Sequence, residues 1–156
     1  MNERGTTTRL FIPALGGFYD AVSGLGYPLI RLFTGLMLMP HGAQKLFGWF
    51  GGHGIEGTAG FLAKSGLEPA LPLAYLLGST EFFGGLLVAI GLLTRPAAIG
   101  IVAIMAVAMF NVHLKNGFFW FNGGYEYPLL WGIVALAIVF CGGGALSVDR
   151  KIGKEF

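Results

Sequence analysis

Residues 96–112 read PAAIGIVAIMAVAMFNV, with no charged side chain from Ile99 to Phe110. A helix of that composition has no polar face to turn toward water, so it must be covered on all sides by protein or lipid. Residues 129–141, LLWGIVALAIVFC, repeat the pattern. A water-soluble bundle would carry Lys and Glu along the outside of each helix, and these stretches carry none. Hydrophobic residues make up 54% of the chain and charged residues 12%, against about 45–50% and about 25% in soluble domains. The expected fold is therefore an all-α membrane protein, a bundle of four transmembrane helices over Pro28–Phe50, Pro72–Leu93, Pro96–Val112 and Tyr125–Gly144.

A bilayer core about 30 Å thick takes around 20 helical residues. The first two spans meet that length. The third is short and must borrow His113 to Lys115 or sit where the bilayer thins. The fourth opens on a Tyr-Glu-Tyr-Pro step, with Pro128 suited to a first helical turn. Leu93-Thr94-Arg95-Pro96 reads as a tight turn that makes spans two and three antiparallel neighbours. The long Gly-rich loop from Gly51 to Leu71 holds Thr58, a candidate cap for a short helix carrying Phe61 and Leu62. Nothing in the pattern predicts strands, and none of the glycine clusters forms a nucleotide-binding loop.

Basic residues set the expected orientation. Arg4, Arg9, Arg95, Arg150, Lys151 and Lys154 fall on one side, against Lys64 and Lys115 on the other. Both termini are expected to be cytoplasmic, in the inner membrane of a bacterium or archaeon. Met1 to Leu10 has no signal-peptide pattern. Phe11–Ser23, broken by Pro13, Gly16 and Gly17, reads either as an interfacial segment or as a flexible tail. The segmentation is residues 1–25 cytoplasmic or interfacial, 26–149 membrane domain, and 150–156 basic tail. A net charge of +2 gives no footing for nucleic-acid binding. The single cysteine, Cys141, rules out an intramolecular disulfide or a CxxC redox pair.

Arg31, His41, Lys45, Glu81, Arg95, His113 and Glu126 lie in or beside the apolar stretches. A charge at mid-bilayer costs about 2.5–3.5 kcal/mol on insertion scales, so such groups persist when they pair or line a site. At about 1.5 Å per residue, His41 stands about 20 Å above Pro28, Lys45 about 26 Å above it, and Glu81 about 14 Å below Pro72. His113 ends the third span and Glu126 begins the fourth, so all four helices are expected to bring a titratable group to one polar chamber. Around the first span, Arg31, Gly35, Leu38, Gly42 and Lys45 share a stripe that His41 borders.

Glu81, His41 and Lys45 are the candidate catalytic residues. Histidine exchanges hydrogen bonds and protons with a quinone oxygen, and a desolvated carboxyl can do the same near neutral pH. Arg31, His113, Glu126 and Gly85 are candidate ligand-binding residues. Gly85 joins Gly42, Gly78 and Gly84 in an expected gap between spans one and two, through which a lipophilic ligand would pass. Phe47, Trp49 and Phe82 are candidates to stack on its head group. The competing reading makes the polar groups structural: Lys45 paired with Glu81 or Glu126, Arg31 bonded to a backbone carbonyl, and Arg95 serving topology. Histidines 41 and 113 on neighbouring helices could hold haem, and His41, Glu81, His113 and Glu126 a metal. The differing expected depths of the two histidines argue against haem, and neither haem nor metal is expected.

The run Arg31, then His41-Gly42-Ala43-Gln44-Lys45-Leu46-Phe47-Gly48, then Glu81-Phe82-Phe83-Gly84-Gly85-Leu86-Leu87, resembles the DoxX family of small four-helix membrane proteins. Leu92-Leu93-Thr94-Arg95, His113 with Asn116-Gly117-Phe118, Gly123-Gly124-Tyr125-Glu126-Tyr127 and the tail from Gly142 to Asp149 continue the resemblance. It covers roughly Tyr27 to Asp149. The resemblance implies a subunit of a quinone-linked membrane redox system, tied to sulfur-compound or thiol oxidation. Quinone or quinol would be the bound partner, with a redox protein supplying electrons. The alternatives are a small-solute or proton-coupled transporter, and a non-catalytic assembly subunit. A Gly/Ala face leaves homo-oligomerisation open.

Overall fold

The computed structural model describes residues 9–156, and all regular structure among them is helical. Arg4 and the rest of residues 1–8 lie outside the described residues. The helices are α1 (Pro13–Phe47), α2 (Gly54–Lys64), α3 (Ala70–Ile90), α4 (Thr94–Asn116), α5 (Glu126–Cys141) and the short α6 (Val148–Ile152). Helices α1, α3 and α4 are long and apolar enough to cross a membrane, whereas α5 is a shorter apolar helix. The Pro13–Leu25 part of α1 is helical throughout, tightened into 3-10 turns at Pro13–Leu15 and Ser23–Leu25, and none of its residues is buried.

Local chemistry sets the helix ends. Gly48, with φ of 71°, stops α1 at Phe47, three residues earlier than expected, because glycine enters the left-handed region freely. Gly91 does the same for α3. Leu92 then donates to the Leu87 carbonyl, and the chain reverses directly into α4. Helix α4 gains its length beyond Val112 through a π turn at Ala108–His113 and a 3-10 turn at Leu114–Asn116. Thr58 is not a cap. It is buried inside α2, and its hydroxyl donates to the Gly54 carbonyl four residues back.

Helices α1 and α3 run antiparallel and meet along a seam of small residues. A Cβ on Gly35 would collide with the Gly85 carbonyl, and one on Gly85 would lie 2.8 Å from the Gly35 carbonyl. Seven residues further along, a Cβ on Gly42 would lie 2.7 Å from the Phe82 Cβ and 2.8 Å from the Gly78 carbonyl. Without side chains at these points the backbones come into contact, the small-residue packing of membrane helices. The expected gap is therefore absent: Gly42, Gly78 and Gly85 close α1 onto α3, while Gly84 faces the Ala97 carbonyl of α4.

Half of the bundle is solid. Leu38, Val88, Ala98, Ile101, Met105, Ala135 and Ile138 form its core. Beneath it the chain ends are tied together. The Tyr27 hydroxyl donates to the Gly142 carbonyl, and Arg31 donates to the carbonyls of Val88 (2.8 Å) and Leu146. Asp149, 3% exposed, accepts from the N–H groups of Leu93 (2.8 Å) and Thr94 (2.9 Å) and from the Thr94 hydroxyl (2.7 Å). Arg95 bonds the Val139 carbonyl and lies 3.6 Å from the Glu155 carboxylate. The other half of the bundle is hollow.

Candidate functional site

The hollow is a chamber of about 550 Å³ whose floor is the top of the core, Leu38 and Met105. Its walls are α1, α3, α4 and α5, and α2 with the loop behind it lays Phe61, Leu62 and Leu67 across the top. Most of the lining is aliphatic or aromatic. Polar side chains interrupt it: His41 and Lys45 from α1, Glu81 from α3, His113 from α4 and Tyr127 from α5.

Three of the walls depart from regular α-helix at the level of these groups. Pro40 lies inside α1, one residue before His41, and lacks the N–H that would bond the carbonyl of residue 36. Glu81 belongs to a π turn, Thr80–Gly84. His113 ends the second π turn. A π turn inserts a residue and re-aims the side chains that follow, and such turns recur at functional sites. Neither π turn has a sequence signature, so the amino-acid pattern alone reveals neither.

Lys45 and Glu81 form the centre. The Lys45 Nζ donates to Glu81 Oε2 at 2.6 Å, with Glu81 5% exposed. The short contact satisfies a carboxylate that would otherwise be desolvated alone. The Thr58 hydroxyl faces the Lys45 carbonyl at 3.4 Å, joining α2 to the same turn of α1. His41 is exposed as well as lining the chamber, so it stands where the wall meets the surface. His113 Nδ1 lies 2.6 Å from the Gly123 carbonyl.

Three of the other expected site residues stand off the wall. Arg31 is 2% exposed in the knot at the opposite end, where it holds α1 to α3 and to the C-terminal segment. Its guanidinium is spent on backbone carbonyls, the structural role weighed against ligand binding. Gly85 packs on Gly35 and Leu38, and does not itself line the chamber. Glu126 turns away: its carboxylate accepts the Trp120 N–H at 3.0 Å and braces the loop before α5. So α5 brings no carboxylate to the chamber; the polar side chain of its first turn that lines the cavity is Tyr127. Phe47 packs on Trp49 (5.0 Å between ring centres) and Phe82 (5.4 Å), an aromatic cluster outside the chamber lining. Among the described residues no three His, Cys, Asp or Glu side chains converge as a metal site.

Asp149 was not singled out by sequence reasoning, although it fixes the α3–α4 turn. Burial by itself pushes its carboxyl up; the bonds from Thr94 and Leu93, with the Arg31 charge, outweigh that and hold it below the usual carboxylate range. The available signal was a carboxylate two residues after Ser147, whose hydroxyl caps α6 by accepting the Arg150 N–H.

Residues 26–114 match the DoxX family. A Bacillus subtilis (strain 168) protein named "Putative oxidoreductase CatD" is 33% identical over 83% of this chain and 89% of its own length. A Haemophilus influenzae protein is 31% identical over 81% of this chain and 90% of its own. A Mycobacterium tuberculosis protein named "Uncharacterized membrane protein Rv3486" is 29% identical over 81% and 80%. No solved structure matches the chain. The chain belongs to the DoxX family and is a membrane protein.

Proposed function

We propose that this DoxX membrane protein binds a quinone or quinol in its chamber and serves as a subunit of a membrane redox system, one linked to sulfur-compound or thiol oxidation. The observation that carries the reading is the chamber itself. His41, Lys45, Glu81, His113 and Tyr127, all able to donate, accept or move a proton, line a chamber whose walls are otherwise apolar. A quinone head group with an apolar tail needs both surfaces. The relative named as an oxidoreductase is consistent with it.

In this reading α5 is the fourth span, tilted little in a locally thin bilayer, since its 16 residues rise about 24 Å. Both termini face the cytoplasm of a bacterial or archaeal cell. The ligand reaches the chamber sideways, from the bilayer, between α3 and α4. Leu76 (59% exposed) and Val107 (46% exposed) both line the chamber and stand on the surface, and they lie at matching heights. Leu76 is about 9 Å from the start of α3, and Val107 about 20 Å along the antiparallel α4. A redox partner protein supplies or removes the electrons.

The test is mass spectrometry of lipids extracted from gently purified protein, joined to thermal melts with added quinone. Quinone near one equivalent and a raised melting temperature support the reading; absence of both defeats it. The part-buried Lys45–Glu81 pair also suits a proton-coupled transporter. Solute flux in liposomes without redox turnover would favour that second reading.

A further inference from the structure

Resting on the quinone-binding reading, we propose that His113 accepts a hydrogen bond at Nε2 from a hydroxyl-bearing aromatic ligand, so that the chamber prefers the reduced, quinol-type form over its carbonyl counterpart. The tautomer carries the argument. The Gly123 carbonyl oxygen 2.6 Å from Nδ1 can only accept, so Nδ1 holds the ring proton. In the neutral imidazole the other nitrogen, Nε2, is then an acceptor with no proton to give. Among the described residues Nε2 has no partner and is not sealed off, while the ring lines the chamber. A ligand carbonyl offers that nitrogen nothing. A ligand hydroxyl donates to it.

The neighbouring loop is built to keep this tautomer. Asn116 Nδ2 also donates to the Gly123 carbonyl, at 3.1 Å, placing the oxygen from a second side. The loop is closed by backbone bonds from Tyr125 to Gly117 (3.0 Å), Glu126 to Phe118 (2.9 Å) and Gly124 to Phe119 (3.0 Å). Glu126 adds its carboxylate bond to the Trp120 N–H. A Cβ on Gly124 would collide with the Gly117 carbonyl, so the loop closes this tightly only with glycine there. Asn116 and Glu126 are thus positioning residues: they place the Gly123 oxygen and the loop around it without reaching the chamber themselves. This accounts for Glu126, whose carboxylate never reaches the chamber.

Two measurements test the inference. Nitrogen-15 NMR of histidine-labelled protein at neutral pH should give His113 a protonated Nδ1 and a bare Nε2; the reverse assignment overturns it. Binding is then compared for para-hexylphenol and its methyl ether, which differ in the donating hydrogen that the ether's methyl replaces. Wild type should favour the phenol about tenfold, the net worth of one hydrogen bond. His113→Asn keeps a donor near the Nδ1 position and has no atom at the Nε2 position to accept, and should lose the preference. His113→Gln keeps an acceptor near Nε2 and should retain most of it. Equal binding of phenol and ether by wild type, or a preference undiminished in His113→Asn with an unchanged melting temperature, defeats the inference and leaves the quinone reading standing. Wild type binding neither compound defeats both.

Discussion

At the scale of single residues, the Lys45–Glu81 pair and Asp149 show what polar groups do in so apolar a protein. Removing one member of a buried pair strands the other, at about 3–5 kcal/mol. Lys45→Met strands the buried Glu81 and should destabilise the bundle by that order. Glu81→Gln should cost less, because the Lys45 side chain is 28% exposed. The double variant should recover most of the loss because no lone charge remains. If the pair serves the ligand, the double variant will fold and still bind quinone poorly; recovery of both properties would make the pair purely structural. Asp149 predicts a pH effect. Its folded-state pKa lies below the ordinary value, so its contribution is complete above the usual carboxylate range and is lost as the pH falls through the lower folded value. Asp149→Asn should lower stability by about 1.5–3 kcal/mol at neutral pH, the worth of hydrogen bonds to a charged group. It should also flatten the acid side of a melting-temperature profile; an unchanged profile would show that the α3–α4 turn is held by other bonds.

At the scale of elements, the glycines divide by what faces them. Gly35 and Gly42 meet backbone atoms of α3, whereas a methyl added to Gly60 in α2 would have nothing within 4 Å. Gly35→Ala should therefore force α1 from α3 and cost about 1–3 kcal/mol. Gly60→Ala should stabilise α2 by about 0.5–1 kcal/mol, since alanine loses less backbone freedom in a helix. Opposite shifts in melting temperature for the same chemical change would establish the seam, and equal shifts would refute it. The small-residue pattern of α3 was legible in sequence, and so was the stripe from Arg31 to Lys45 on α1. What faced each glycine was not, because an empty position looks the same whether lipid, ligand or another backbone fills it.

At the scale of the whole molecule, a solid half and a hollow half divide the bundle. The antiparallel α3 and α4 are pinned where they join, by the Asp149 bonds to Leu93 and Thr94, and the chamber lies between them toward their far ends. The proposed topology puts the pinned half toward the cytoplasm. Single cysteines replacing Lys64 and Lys115 in a Cys141→Ser background should react with an impermeant maleimide from outside intact cells. One replacing Lys151 should react only after the membrane is opened. Labelling of the first two from the cytoplasmic side would invert the arrangement.

Charge-free runs such as Ile99 to Phe110, and the ordered run from Arg31 through Glu81 to Glu126, were enough by themselves to determine a helical membrane protein of the DoxX family. The first property is written in composition, and the second is carried by the resemblance of those motifs to the family. Helical regularity placed His41, Lys45, Glu81 and His113 in one half of the bundle, since helix rise is nearly constant. Only the tertiary structure decided which polar groups face inward. Two π turns and Pro40 re-aim the helices in that half, and no short motif encodes such turns. Glu126 is claimed by the Trp120 N–H and Arg31 by two carbonyls, contacts between residues 6, 57 and 115 positions apart. A side chain's chemistry is set by its residue type, but the partner that uses it is set by packing, and packing is a property of the folded chain.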